Sequence, residues 1–184
     1  MENRLCAQGQ AVRVAENCLN GRRTVWDDPF KPGRNRLNGL AQQIEIHSPL
    51  SLVILMLRTN DVQSMHPHNA WHASQGMAAL VQAIRQALIE PGLPVPPILI
   101  VAPPPIDTPK GPIAPKFTGA EHKSFGLAEA LRELAATLDC AFFDAGSVTP
   151  ASRVDGIHLD ADQHRLLGEA MAGAVRPLLA SQPA

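Results

Sequence analysis

The stretch Leu50-Ser51-Leu52-Val53-Ile54-Leu55-Met56-Leu57 restricts the choice of folds more than any other part of the chain. Apart from Ser51 it is apolar throughout, with no polar alternation. A strand with one wet face alternates. A strand apolar on both faces must be covered twice, as happens in a parallel sheet between two helical layers. Three further runs, Val12–Ala15, Ile98–Ala102 and Cys140–Asp144, are rich in β-branched residues or Phe and also read as strands.

Helical patterns fill the spaces between these runs. Gln75–Ile89 sets Met77, Leu80, Val81, Ile84 and Leu88 at helical spacing, and Pro91-Gly92 supplies a stop. Glu121–Leu138 repeats the pattern with Leu127, Leu131, Leu134 and Leu138. Asp160, with Gln163 three residues on, resembles a capping box. It opens a last helix through Leu166, Leu167, Met171 and Val175, which Pro177 disfavours continuing. Alternating strands and helices predict right-handed βαβ units in a three-layer α/β/α sandwich. The 184 residues fit a single domain, 1–184. The proline-rich stretch Pro103–Pro115 reads as a long loop at the sheet edge, where such folds bind ligands.

Charge narrows the function classes. The formal net charge is −1, with acids and bases scattered, and Tyr is absent. Nucleic acid and anionic membranes need a basic face, so neither is expected as a partner. Three cysteines, odd in number and without a Cys-x-x-Cys pair, are expected to be reduced, partly buried thiols. With no basic-then-apolar leader and no apolar run near ~18 residues, the expected location is the cytoplasm.

Three stretches carry candidate chemistry. Val154-Asp155-Gly156-Ile157-His158-Leu159 precedes the capped last helix. An Asp three residues before a His can accept a hydrogen bond from the imidazole and leave the other nitrogen as a general base. Gly156 permits the tight turn. Read by itself, the pair is also compatible with a structural loop before a helix cap. Leu57-Arg58-Thr59-Asn60-Asp61 ends the most buried strand, where the Asn60 amide is placed to stabilise an oxyanion or simply to end the strand in a turn. Leu19-Asn20-Gly21-Arg22-Arg23-Thr24-Val25-Trp26-Asp27-Asp28-Pro29 follows the first run, and Gly21 can bring a backbone N–H close to a ligand or belong to an ordinary loop.

Taken in order, these stretches resemble the SGNH (GDSL-like) hydrolase superfamily, and within it the bacterial arylesterase/acyltransferase branch. Ala102-Pro103-Pro104-Pro105 and Phe142-Phe143-Asp144-Ala145-Gly146-Ser147 resemble that branch too, so the likeness runs from about Val12 to Leu179. It implies a flavodoxin-like parallel sheet of five strands and serine-type hydrolysis or acyl transfer on short-chain or aryl esters. It also implies no metal or organic cofactor, a small ester as substrate, and a homo-oligomer. By position, His158 would be the general base, Asp155 its orienting carboxylate, and Gly21 (through its N–H) and Asn60 the oxyanion donors.

The sequence departs from that pattern twice. The Gly-Asp-Ser block that brings the nucleophile occurs nowhere, and Ser48, Ser51, Ser64, Ser74, Ser124, Ser147, Ser152 and Ser181 all stand in other contexts. Met1–Gln10 reads as the end of the helix that would follow that block. The resemblance therefore implies a chain without the family's first, central strand, either a shortened version or a truncation repaired by dimerising or swapping strands. Arg58 stands where the pattern has Gly; an Arg is expected to avoid positive φ and to bring a cation near the acyl site. A catalytically inert scaffold or oligomerisation module retaining Asp155 and His158 is the alternative, and polysaccharide deacetylation a further one. His66-Pro67-His68 with His72 is expected to be a surface loop rather than a zinc site. Asp27-Asp28 is expected to form a turn closed by Pro29, Arg22-Arg23 a solvated loop face or subunit contact, and Met77 and Met171 core.

Overall fold

A computed structural model describes residues 1–180 of the chain; Ser181 lies outside them. Three parallel strands, β1 (Val53–Leu55), β2 (Ile98–Ala102) and β3 (Ala141–Asp144), form a sheet in the order β1-β2-β3. Val53 pairs with Ile98, and Leu99 with Ala141. Every residue of β2 is buried, as a strand covered on both faces requires.

Alternate side chains supply the two faces. Ile98, Ile100 and Ala102, with Leu55 and Phe142, meet one helical layer: α2 (Leu40–His47), α3 (Ala70–Arg85) and α5 (Leu127–Thr137). Leu99 and Val101, with Ile54 and Phe143, meet α1 (Glu2–Ala7) and α6 (Ala161–Ala180) through Leu5, Leu167, Met171, Ala172 and Val175. Met77 and Met171 are core, as expected.

Several expected boundaries move, each for a local reason. Helix α3 begins at Ala70, because Asn69 and His72 form a reciprocal cap, Asn69 Oδ1 accepting the His72 N–H at 3.2 Å. The expected helix 121–138 is two pieces, α4 (Ala120–Lys123) and α5, separated where Gly126 takes the left-handed φ of 75°. Pro177 lies inside α6, which continues to Ala180 with Leu178 and Leu179 packed on the same core as Val175. Only half of the capping box forms. Gln163 Oε1 accepts the Asp160 N–H at 2.7 Å, while the Asp160 carboxylate takes the Ser152 hydroxyl at 2.8 Å.

Val12–Ala15, expected as a strand, forms none. It runs past α1, where Glu2 Oε2 accepts the Val14 N–H at 2.7 Å, and makes no ladder bond. Three of the four expected strands are therefore present among the described residues, and β1 stands at the sheet's edge. No helix among them is long and apolar enough to cross a membrane.

Candidate active site

Because the strands are parallel, their carboxyl ends share one edge, and each ends in a segment that builds this edge. After β1 comes Arg58 and then the 3₁₀ turn Thr59–Val62, which carries Asn60. After β2 the chain reaches Asp107 and Lys110, whose N–H groups donate to the carbonyls of Gly156 and Asp155, both at 2.9 Å. The Asp155–His158 motif is thereby stapled to the loop that follows the central strand. Gly156 has φ 76°, and a Cβ there would run into the Thr108 carbonyl oxygen, so this close approach requires glycine.

Within the motif, Asp155 Oδ2 lies 2.6 Å from His158 Nδ1. Asp155 Oδ1 accepts the N–H groups of Ile157 at 2.8 Å and His158 at 2.9 Å. An ionised carboxylate only accepts, so Nδ1 carries a proton, and in the neutral ring the lone pair is on Nε2. Burial pushes the Asp155 pKa up, but the ring bond and the two backbone bonds outweigh it and hold the carboxyl below its usual range. The His158 side chain is 52% exposed, so Nε2 is open to a reacting group.

Asn60 is half-buried and held at both ends of its amide. Its Nδ2 donates to the Arg22 carbonyl at 3.1 Å, and its Oδ1 accepts from Gln63 Nε2 at 2.8 Å. The Arg22 contact sets Asn60 beside Gly21, whose φ is 81° and whose N–H makes no hydrogen bond among the described residues. Val62 and Ile157 share one buried cluster with Ile106, Phe117 and Ala120. That cluster links the turn carrying Asn60 to the motif carrying His158. The structure thus pairs Asp155 with His158 and Asn60 with the Gly21 loop.

Beneath Asn60 lies a polar core that sequence reasoning missed. Arg23, expected at a solvated face or contact, is fully buried, because Asp28 takes its Nη2 at 2.8 Å in an ion pair. Asp28 is correspondingly more than a turn: Oδ1 caps the N–H groups of Phe30 and Lys31. Burial pushes its pKa up, yet those backbone bonds and the Arg23 and Lys116 charges hold it below the usual carboxylate range. Asp61 is buried as well and accepts the Thr24 N–H at 3.0 Å and the Thr24 hydroxyl at 2.8 Å. Desolvation nevertheless raises its pKa to about 6. The only sequence signal was the cluster of charges at Arg22, Arg23, Asp27 and Asp28; Asp61, 37 residues from Thr24, was invisible as its partner.

Other expectations change. Arg58 does not avoid positive φ: its φ is 120°, and its side chain is buried at 1% exposure. The histidines are more than a surface loop, for His68 is buried, stacked on His66 with centroids 4.9 Å apart and set against Trp26 at 4.0 Å. Burial, with the Arg23 and His68 charges, lowers the His66 pKa to about 4. No group of metal-ligating side chains is assembled among the described residues. Cys6 and Cys18 are exposed rather than partly buried, and all three thiols are free. Ser48, Ser64, Ser74, Ser124 and Ser147 each donate their hydroxyl to a backbone carbonyl. Ser152 is buried against Asp160.

The chain matches the GDSL-like lipase/acylhydrolase family over residues 1–166, and it belongs to that family. Among solved structures it is similar to the native aryl esterase of M. smegmatis, with 37% identity and a TM-score of 0.88, covering 95% of this chain and 83% of that one. It is also similar to Est24, a carbohydrate acetylesterase from Sinorhizobium meliloti, with 34% identity and a TM-score of 0.88, covering 96% and 82%. Among curated proteins none matches.

Proposed function

We propose that this protein is built for serine-type hydrolysis or acyl transfer on short-chain or aryl esters. The observation that carries the reading is the Asp155–His158 contact of 2.6 Å, with the remaining Asp155 oxygen filled by two backbone N–H groups. His158 Nε2 takes the proton of an attacking hydroxyl, and Asp155 stabilises the imidazolium that results. The oxyanion that forms on the ester carbonyl accepts hydrogen bonds from the Gly21 N–H and the Asn60 amide. The oxyanion collapses, the ester's C–O bond breaks and the alcohol leaves with the proton from the His158 imidazolium. Water or another alcohol, deprotonated in turn by His158, then takes the acyl group from the acyl-enzyme and releases the nucleophile. The aryl and carbohydrate esterases to which the chain is similar support this substrate class.

The 184 residues contain no Gly-Asp-Ser, and the hydroxyls of Ser48, Ser64, Ser74, Ser124, Ser147 and Ser152 are tied to carbonyls or to Asp160. We therefore expect little turnover of p-nitrophenyl acetate from this chain and no serine labelled by a fluorophosphonate. Joined to an N-terminal strand ending in Gly-Asp-Ser, the protein should hydrolyse the ester. In that form His158→Ala should abolish turnover, and Asn60→Ala should lower kcat by ~10²–10³. A joined form that folds and still does nothing would instead favour an inert scaffold. Robust turnover by the 184-residue chain would name another nucleophile. We further propose a soluble, cytoplasmic homo-oligomer.

A further inference from the structure

We infer that Gln63 is a positioning residue: fixed by Arg23, it donates to Asn60 Oδ1 and so holds the Asn60 amide nitrogen on the side where an oxyanion would form. The inference rests on the reading of Asn60 as an oxyanion donor, and concerns what aims it.

An Asn amide presents a donor and an acceptor of nearly equal size, so packing alone does not choose between its two orientations. Hydrogen-bond partners must choose. Here the choice traces back to a group with no choice of its own. Arg23 is donor-only, fully buried, and anchored by the Asp28 carboxylate at 2.8 Å. Its Nη2 also lies 2.6 Å from Gln63 Oε1. Gln63 is fully buried too, and with its oxygen committed to Arg23 its Nε2 must face Asn60. Asn60 accordingly accepts at Oδ1, at 2.8 Å, and donates one Nδ2 proton to the Arg22 carbonyl at 3.1 Å. Its second Nδ2 proton is left for a ligand. Donor polarity thus runs one way, from guanidinium through Gln63 to Asn60, in a low dielectric where reversing an amide would leave two like ends facing each other.

Gln63→Glu keeps an acceptor for Arg23 but removes the donor to Asn60. Gln63→Met removes both while preserving bulk, and guards against a Glu variant that fails to fold. The readout is the Asn60 side-chain amide in ¹⁵N–¹H spectra of the 184-residue protein. In each folded variant the Asn60 resonances should shift and exchange with water roughly tenfold faster, a factor worth about 1.4 kcal/mol of protection. In the wild type, which needs no variant, the Gln63 Nε2 protons should exchange at least about tenfold more slowly than those of exposed Gln75. Unchanged Asn60 signals in a folded variant, or Gln63 protons exchanging like those of Gln75, would overturn the inference. In the Gly-Asp-Ser-joined form, Gln63→Glu should lower kcat with little change in KM. If the Asn60 amide is freed yet kcat stays the same, the positioning stands and the oxyanion reading of Asn60 fails.

Discussion

Arg58 puts a long cationic side chain where the main chain asks for glycine. Its φ of 120° is a conformation that costs a side-chain-bearing residue on the order of 1–3 kcal/mol. Its guanidinium is buried with Nε and Nη2 unpartnered, while each Asp61 oxygen accepts a bond from Thr24. Burial lowers its pKa to about 10, with Asp61 pulling it partly back. Arg58→Gly relieves the strain and the unpaired cation, against an entropic cost of about 0.5–1 kcal/mol for glycine. A net gain of about 1 kcal/mol in urea unfolding is expected; a loss of that size would show that the side chain's packing outweighs its strain. Asp61 gives a pH dependence of defined sign. Its folded pKa of about 6 lies above the ordinary 3.8, so the stability it contributes is complete below the lower value and is lost as pH rises through the higher. Between about pH 4 and pH 7 the wild type should lose on the order of 2 kcal/mol that Asp61→Asn does not. Identical pH slopes for the two proteins would refute this. Asp155 and His158 were legible in the sequence because their contact spans three residues. Arg23, Asp28 and Gln63 were not: the charges of Arg23 and Asp28 stand five residues apart but do not show that the pair is buried, and Gln63 joins them from forty residues along the chain.

The turn at Gly156 shows how an element, rather than a residue, holds the Asp155–His158 contact in place. Its positive φ and its contact with the Thr108 carbonyl let the Asp155–His158 motif lie against the loop after β2. Gly156→Ala is expected to destabilise the protein by about 1–3 kcal/mol, from strain at positive φ and displacement of that loop. It should also release the His158 ring, seen in NMR as loss of a fixed Nδ1–H tautomer. A variant keeping both its Tm and that tautomer would mean the loop is not what holds the motif. Helix interiors were readable from apolar periodicity, as Met77, Leu80, Val81 and Ile84 on α3 illustrate. Helix ends were not: Asn69 and His72 make a cap from a residue pair outside the usual signal, and Gly126 divides a continuous apolar stripe. Val12–Ala15 had strand composition, but its N–H at Val14 found a carboxylate rather than a neighbouring strand. Composition cannot say which partner arrives.

At the scale of the molecule, the run Leu50–Leu57 announced a doubly covered parallel sheet, and the two helical layers meet it as that reading requires. What it could not announce is that β1 pairs on one side only. Val53 N–H turns inward to the Pro97 carbonyl at 2.9 Å, so the next N–H, that of Ile54, turns toward the open edge. Leu52, Val53, Ile54 and Met56 are half-buried along it. An unpaired apolar edge is a template for another strand, and natural sheets guard such edges with short strands or inward-pointing charge. Here the strand is short, yet no charge stands between Leu50 and Leu57. The proposed self-association is therefore expected to use this edge. Light scattering on a sizing column should give a mass of at least two chains of 19.7 kDa at micromolar concentration. Ile54→Lys adds an inward-pointing charge whose stem can still cover apolar surface while its ammonium reaches water. It should return the protein to a monomer with an unchanged far-UV spectrum. A wild type that runs as a monomer would remove the homo-oligomer from the proposal. An oligomer that survives Ile54→Lys would instead move the interface elsewhere, and leave the edge of β1 to be protected by something other than a second copy.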